Sequence, residues 1–423
     1  MAFYTKAGSF DLNNSTGNQA VTGLGFTPKV ILFFGVDDLG SFTVAADAVP
    51  WIGAATDSSH QWVIQASCED AQATMDTYRA SRPDACIMSN HPENGAANFE
   101  ATFVSNDADG FTVNVTDAPV ATVKVCFFAL GGDDITNVFA GSKDLGHFAT
   151  DVSVTGVGFQ PDLVLFGSIN TGVADVDSTY AELCFGAAIS NAQQNVVAIS
   201  SADGGATSVT NRYHRVDRCL AGIMSDSVIW DASFTSQDAD GFTVTTTASP
   251  EDTYAFFVAI KGDFNTSITH FDKPATTEND ETQAVTGVGF EPSAMLMYGV
   301  QRAVNASAIS THLALTLGAA SALDEIVNMS VLDPDNKADA ISDQCLNNDR
   351  IHDQRSTSDF STVFSGELVS FDSDGYTLNW TLPSAGIPRI STICFAEIPT
   401  LPDWVLAVID TKAIGGNFAA VVT

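Results

Sequence analysis

The sequence predicts an all-β protein built as three tandem homologous domains of the β-sandwich or jelly-roll type, and three observations carry that reading. One paragraph of sequence is written three times: VTGLGFTPKVILFFG begins at Val21, VTGVGFQPDLVLFGS at Val154 and VTGVGFEPSAMLMYG at Val285, so that Gly23, Gly156 and Gly287 recur at separations of 133 and 131 residues. Two further landmarks return in the same order, Gly-Ala-Ala at Gly53, Gly186 and Gly318, and Asp-x-Asp-Gly-aromatic-Thr at Asp107, Asp238 and Asp372. The apolar runs are short and bounded by Pro and Gly, and no dozen-residue segment carries the three-and-four spacing of an amphipathic helix. A repeat this long is no solenoid unit; it can hold a core of its own.

Each copy opens on an apolar strand. Lys29 to Phe34, Leu163 to Phe166 and Ala294 to Tyr298 follow a proline and end at a glycine or tyrosine-glycine, the pattern of strands buried on both faces. Phe99 to Val104 and Phe111 to Val115 then alternate on either side of an Asp-Ala-Asp-Gly turn, which reads as a hairpin with glycine supplying the positive φ. The hairpin recurs at Ala232 to Thr245 and Gly366 to Asn379, and each copy closes on a strand: Val123 to Leu130, Tyr254 to Ile260 and Ser391 to Ala396. About eight strands per copy result, the usual size of a small sandwich or jelly roll.

Gly131 to Asp134 and Lys261 to Phe264 read as polar, flexible joints, which sets the domains at 1–133, 134–263 and 264–399. Both a row of beads and a closed pseudo-threefold cluster fit that organisation. The apolar tail, 400–423, stands outside the repeat; its Leu401 to Asp410 run suits either packing on the third domain or an interaction arm that adds a strand to a neighbour.

A net charge of -34, from 17 basic and 51 acidic side chains, argues against nucleic acid or an anionic membrane as partner, since neither polyanion would be attracted. With 45% hydrophobic and only 16% charged residues the chain still has the means to fold. An Asp-rich, Lys-poor surface suits a halophilic or marine setting, where salt screens self-repulsion, the alternative being simple mutual avoidance of copies. The amino terminus has no basic stretch followed by an apolar run, and no window of 18 apolar residues exists, so neither a secretory leader nor membrane insertion is expected. Seven cysteines include no Cys-x-x-Cys pair; Cys86, Cys219 and Cys345 read as corresponding positions with small, buried, reduced thiols.

Catalytic signatures are missing. The histidines at 60, 91, 147, 214, 270, 312 and 352 occupy unrelated settings, without a Gly-x-Ser-x-Gly elbow, a His-x-x-x-His pair or a phosphate-binding loop. The sequence therefore predicts no enzyme, and no catalytic, cofactor-binding or metal residue is assigned. The strongest chemical candidate is the acidic turn: Asp107 with Asp109, Asp238 with Asp240, and Asp372 with Asp374 form the first half of a calcium loop, but the downstream acid is absent and turn chemistry accounts for them. Trp51, Trp62, Trp230 and Trp380 could stack on sugars, although core packing is the expected role. The segments Val36 to Trp51, Ser168 to Glu182 and Val300 to Leu313 diverge between copies while their flanks do not, which is where binding specificity would sit.

The succession Gly25-Phe26-Thr27-Pro28, Gly53-Ala54-Ala55, Asp107 to Thr112 and Ala129 to Gly132 resembles a repeated β-domain of structural proteins from tailed viruses of bacteria and archaea. The third copy departs most, with Tyr376 for phenylalanine and Glu397-Ile-Pro for the closing glycines. The resemblance implies a non-enzymatic virion structural protein on the particle exterior, a capsid decoration, spike or tail-associated part, assembled in the host cytoplasm and released by lysis. Its implied partners are other virion proteins and further copies of itself. The alternative is an adhesin module that recognises a host receptor or glycan, with three domains supplying avidity.

Overall fold

Antiparallel strands form six sheets, and no helix occurs among the described residues. The computed structural model describes residues 2–399 apart from 38, 91–94, 250–251, 276–277, 302–308, 340, 383 and 385; the expected carboxyl-terminal arm lies outside the described residues. In the first third of the chain a seven-stranded sheet runs in the spatial order Tyr4–Leu12, Val123–Gly131, Pro28–Gly35, Trp51–Asp57, His60–Cys68, Thr77–Arg82, Val176–Thr179. Its companion has four strands, Gly17–Thr22, Gly110–Asp117, Ala97–Asp107 and Ile87–Asn90. The other two thirds follow the same strand order. Eleven strands per third exceed the expected eight because several, such as Ile87–Asn90 and Val44–Ala46, are too short or too polar to read as apolar runs.

The last strand of each large sheet is borrowed. Val176–Thr179, from the second third, pairs with Thr77–Arg82 of the first. Ser310–Thr311, from the last third, pairs with Thr210–Arg215 of the second, and Val44–Ala46, from the first, pairs with Asp343–Asn347 of the last. These borrowed strands lie in the divergent segments assigned above to binding specificity. Part of each divergent segment thus pairs with the sheet edge of a neighbouring third.

Burial on both faces follows from a period of two. Along Pro28–Gly35, Val30, Leu32 and Phe34 enter a core common to the whole molecule, whereas Ile31 and Phe33 enter a core between the two sheets of the first third. Leu163 and Leu165 divide from Val164 and Phe166 in the same way, and Leu296 and Tyr298 from Met295 and Met297. One central core is thus flanked by an outer core in each third, and the last third holds a further small cluster of Ala314, Leu332, Cys345 and Phe360.

Gly-Ala-Ala recurs because two sheets touch there. A Cβ on Gly53 would lie 1.9 Å from the Cys86 carbonyl oxygen, on Gly186 2.1 Å from that of Cys219, and on Gly318 2.0 Å from that of Ile351. Ile351, not Cys345, is therefore the counterpart of Cys86 and Cys219; Cys345 belongs to Asp343–Asn347, one strand earlier. The seven thiols are buried and unbridged, and burial pushes those of Cys126, Cys184 and Cys394 up to about 12.

The joints are not flexible spacers. Asp134 is buried, its N–H donates to Ala2 O at 3.2 Å, and Asp263 N–H donates to Asp134 O at 2.7 Å. Phe3 stacks on Phe264 with centroids 5.1 Å apart. The starting segments of all three thirds are consequently gathered at one end of the sheets.

Candidate functional site

The acidic turns are staples. Gly23 and Gly25 hold positive φ, 91° and 83°, a conformation that an L side chain would resist. Their N–H groups donate to the two carboxylate oxygens of Asp109 at 3.1 and 2.6 Å. Asp107 accepts from the hydroxyls of Ser105 at 2.8 Å and Thr112 at 2.7 Å. Asp240 takes the N–H groups of Gly156 and Gly158, and Asp374 those of Gly287 and Gly289, in the same way. Asp238 and Asp372 repeat the hydroxyl contacts with Ser236 and Thr243, and with Ser370 and Thr377. Two recurrent motifs thereby explain each other, as the carboxylate oxygens that a calcium ion would need are turned to protein donors.

Polar chemistry concentrates instead where the thirds meet. Arg79 donates to Glu182 Oε2 at 2.6 Å and to Ile169 O at 3.1 Å, crossing from the first third to the second. Asn170 adds a bond to the same carboxylate at 3.0 Å. Burial pushes the Glu182 carboxyl up to about 8, against the pull of Arg79 and Asn170. Arg82 grips Asp177 with two bonds at 2.9 and 2.8 Å on the borrowed strand. Between the last third and the first, the corresponding work falls to Gln344, whose amide oxygen accepts from Asp37 N at 3.3 Å and Val49 N at 3.2 Å while its Nε2 donates to Asp37 O at 3.0 Å.

A second junction lies at the end of the sheets opposite the gathered starts. Cys68, Ser201 and Asp333 are the last residues of three corresponding strands, His60–Cys68, Gln193–Ser201 and Glu325–Asp333, and all three are buried. Ser201 Oγ donates to Asp333 Oδ2 at 3.1 Å, and the Cys68 thiol also bonds to Asp333. The neighbouring strands add hydroxyls: Thr77 donates to Ser201 O at 3.2 Å and Thr210 to Asp333 O at 2.9 Å. Burial pushes the Asp333 carboxyl up to about 7, although the bond from Ser201 pulls it down, and its Oδ1 has no hydrogen-bond partner. Sequence reasoning missed this cluster, yet a signal existed. Each of the three stands 15 residues after the glycine of Gly-Ala-Ala.

The tryptophans pack. Trp51 Nε1 donates to Val36 O, Trp62 to Phe257 O across a junction, Trp230 to Asn170 and Trp380 to Gln283. An open groove of about 330 Å³ runs between Lys6 to Asp11 and Gln19 to Leu24 over Phe127. Its charges are engaged, Lys6 with Glu325 and Asp11 with Lys124. Among the described residues no cluster of His, Cys, Asp and Glu is arranged to hold a metal ion. His91 and Trp404 lie outside the described residues.

No protein-family model matches the chain, and no curated protein matches it. Among solved structures it is similar to a viral major capsid protein, the STIV MCP, at 8% identity over 62% of this chain and 96% of that one, with a TM-score of 0.21. It is similar also to a fructofuranosidase from Schwanniomyces occidentalis at 5% identity over 91% and 99%, TM-score 0.14. OmpT, an outer membrane protein of Vibrio cholerae, shares 9% identity over 93% and 98%, TM-score 0.08. Scores this low carry no argument about function.

Proposed function

We propose that residues 1–133, 134–263 and 264–399 are three copies of one β-sandwich domain closed around a pseudo-threefold axis, and that this covalent trimer is a non-enzymatic structural protein of a virion exterior. The observation that carries the reading is the ring of borrowed strands: every third gives one strand and receives one, which covers three sheet edges and makes the block a closed unit. Closed assembly is what a particle part requires, since it meets other virion proteins or further copies through its outside while its own junctions stay fixed. The buried polar groups support the same reading, because Arg79, Glu182 and Gln344 are engaged in holding thirds together. The acidic surface supports a host in brine or seawater.

The resemblance of the repeats supplies the viral half of the proposal; the ring supplies the structural half. Recognition of a host receptor or glycan is the second reading; within the segments to which it was assigned, Val44–Ala46, Val176–Thr179 and Ser310–Thr311 are taken up by the junctions. Antibodies raised against the protein should label intact particles purified from the infected host, and particles from a deletion strain should lack the corresponding exterior density. Purified particles that are infectious and free of the chain would overturn the proposal.

A further inference from the structure

Asp333 is a buried acid at the junction of the three thirds; its Oδ2 accepts from Ser201, its Oδ1 has no hydrogen-bond partner, and no ion pair to it occurs among the described residues. The groups that face it are Cys68 at the end of one strand, Ser201 at the end of another, Thr210 on the strand beside it, Ser342 just before the strand Asp343–Asn347, and Asp335 two residues on. Asp47 acts on Cys68 from the segment carrying the borrowed strand Val44–Ala46. Asp343, next to Ser342, is itself pushed up to about 6 by burial and by Asp70 and Asp47, with Arg355 opposing. Acids thus crowd one side of the junction, where Arg355 is paired with Asp353; on the other side Asp335 N–H donates to His312 Nδ1 at 2.9 Å, and Arg212 and Lys337 act on that imidazole. A carboxylate placed there would be desolvated and repelled; a carboxylic acid would be neutral and could donate a hydrogen bond.

We infer that Asp333 is a protonation-controlled lock on the junction of the three thirds, closed when its carboxyl is neutral and loosened when it is charged. The inference stands on the junction and not on the virion assignment. Its direction follows from linkage. The closed state keeps a proton that the opened state, with an ordinary carboxyl near 3.8, has released, so closure weakens as pH rises from about 4 to about 7 and is constant above that. The raised value of Asp333, to about 7, agrees with the geometry.

The molecule carries its own reporter. Cys68 touches the lock, while Cys86, equally buried, lies in the outer core of the same third. Pulse labelling of the native full-length protein with N-ethylmaleimide, read cysteine by cysteine by mass spectrometry, gives the Cys68 to Cys86 ratio, in which the general rise of thiolate with pH cancels. The expected ratio climbs about tenfold or more between pH 5 and 7 and then levels, because linkage permits up to about tenfold per unit. Charging Asp333 would by itself make the Cys68 thiolate harder to form, so a climb can only report opening. Asp333→Asn should flatten the ratio to within about twofold, and so should Asp333→Ser, which copies Ser201 and serves if the asparagine variant does not fold. A flat ratio in the wild type overturns the inference. So does a climb that persists in the variants, which would assign the effect to the other raised acids of the junctions, Asp343 and Glu182.

Discussion

The outer core of the first third is apolar to its edge, whereas the outer core of the last third ends in charge. At the strand Ile87–Asn90 the side chains of Ile87 and Met88 join Phe99 and Trp51 in one cluster. The register that sets Ile87 opposite Ala101 sets His352 opposite Gly366, so His352 and Asp353 occupy the corresponding places, both fully buried. Asp353 is paired with Arg355 and accepts from Asn347 at 3.1 Å. His352 stacks on Phe364 at 5.9 Å and meets Trp380 edge-on at 6.1 Å, and neither of its ring nitrogens has a hydrogen-bond partner. Beside it the Lys273 ammonium lies 4.6 Å from the Phe364 centroid. The difference teaches that a third can lose apolar packing on its outer side while its large sheet remains fixed from the other face, where Ala294, Leu296 and Tyr298 belong to the central core.

The comparison is most sharply tested by the buried pair. Asp353→Asn leaves Arg355 buried with its charge uncompensated and should cost about 3–5 kcal/mol in urea unfolding at pH 7. Replacing the strand by its counterpart, with His352→Ile, Asp353→Met, Gln354→Ser and Arg355→Asn together, should leave stability unchanged or raise it by about 1–4 kcal/mol. A graft that unfolds the protein would break the equivalence of the two edges.

A smaller effect depends on acid. Burial and Lys273 hold the His352 imidazole down to about 3, so the native state stays neutral while the unfolded chain binds a proton below its ordinary 6.5. Stability from this group is full above about 6.5 and is lost as pH falls toward 3, and His352→Ile should remove that component from the pH dependence of the melting temperature. An unchanged acid limb in the variant would show that the imidazole is hydrated in solution. The first third has no such limb at this position, since isoleucine does not titrate.

The smallest effect should be the same everywhere. Asp109→Ala, Asp240→Ala and Asp374→Ala each remove a pair of bonds to glycine N–H groups on the surface, so each should lower the melting temperature by about one or two degrees. Unequal losses would mean that the staples, unlike the outer edges, have diverged in strength between thirds.

Much of the architecture is legible before folding. Val30 to Phe34 reads as a strand because an apolar run this short, closed off by Pro28 and Gly35 and rich in β-branched and aromatic residues, is too brief for a helix. Asp107 to Gly110 must turn, with Gly110 supplying the positive φ, whereas the positive φ of Gly23 and Gly25 emerged only in the structure. The candidate site was less legible. Arg79 and Glu182 are separated by 103 residues and Gln344 and Asp37 by 307, and the borrowed strands that bring them together are only two to four residues long. Periodicity has nothing to act on in such segments. Cys345 shows the complementary error, in which a shared residue type near a shared position suggested an equivalence that the register of Ile351 with Gly366 removes.

The amino-acid sequence by itself determined the strands, the turns between them and the faces that must leave water, because pleat, φ angle and apolar alternation act over a few residues. It also determined that Lys29 to Phe34 and its counterparts would be covered twice. What covers the second face was decided only by tertiary structure. Each large sheet has an inner face that could have packed on any apolar surface, and the choice of two neighbours from the same chain rests on edge complementarity between segments hundreds of residues apart, which becomes defined once the strands have already formed.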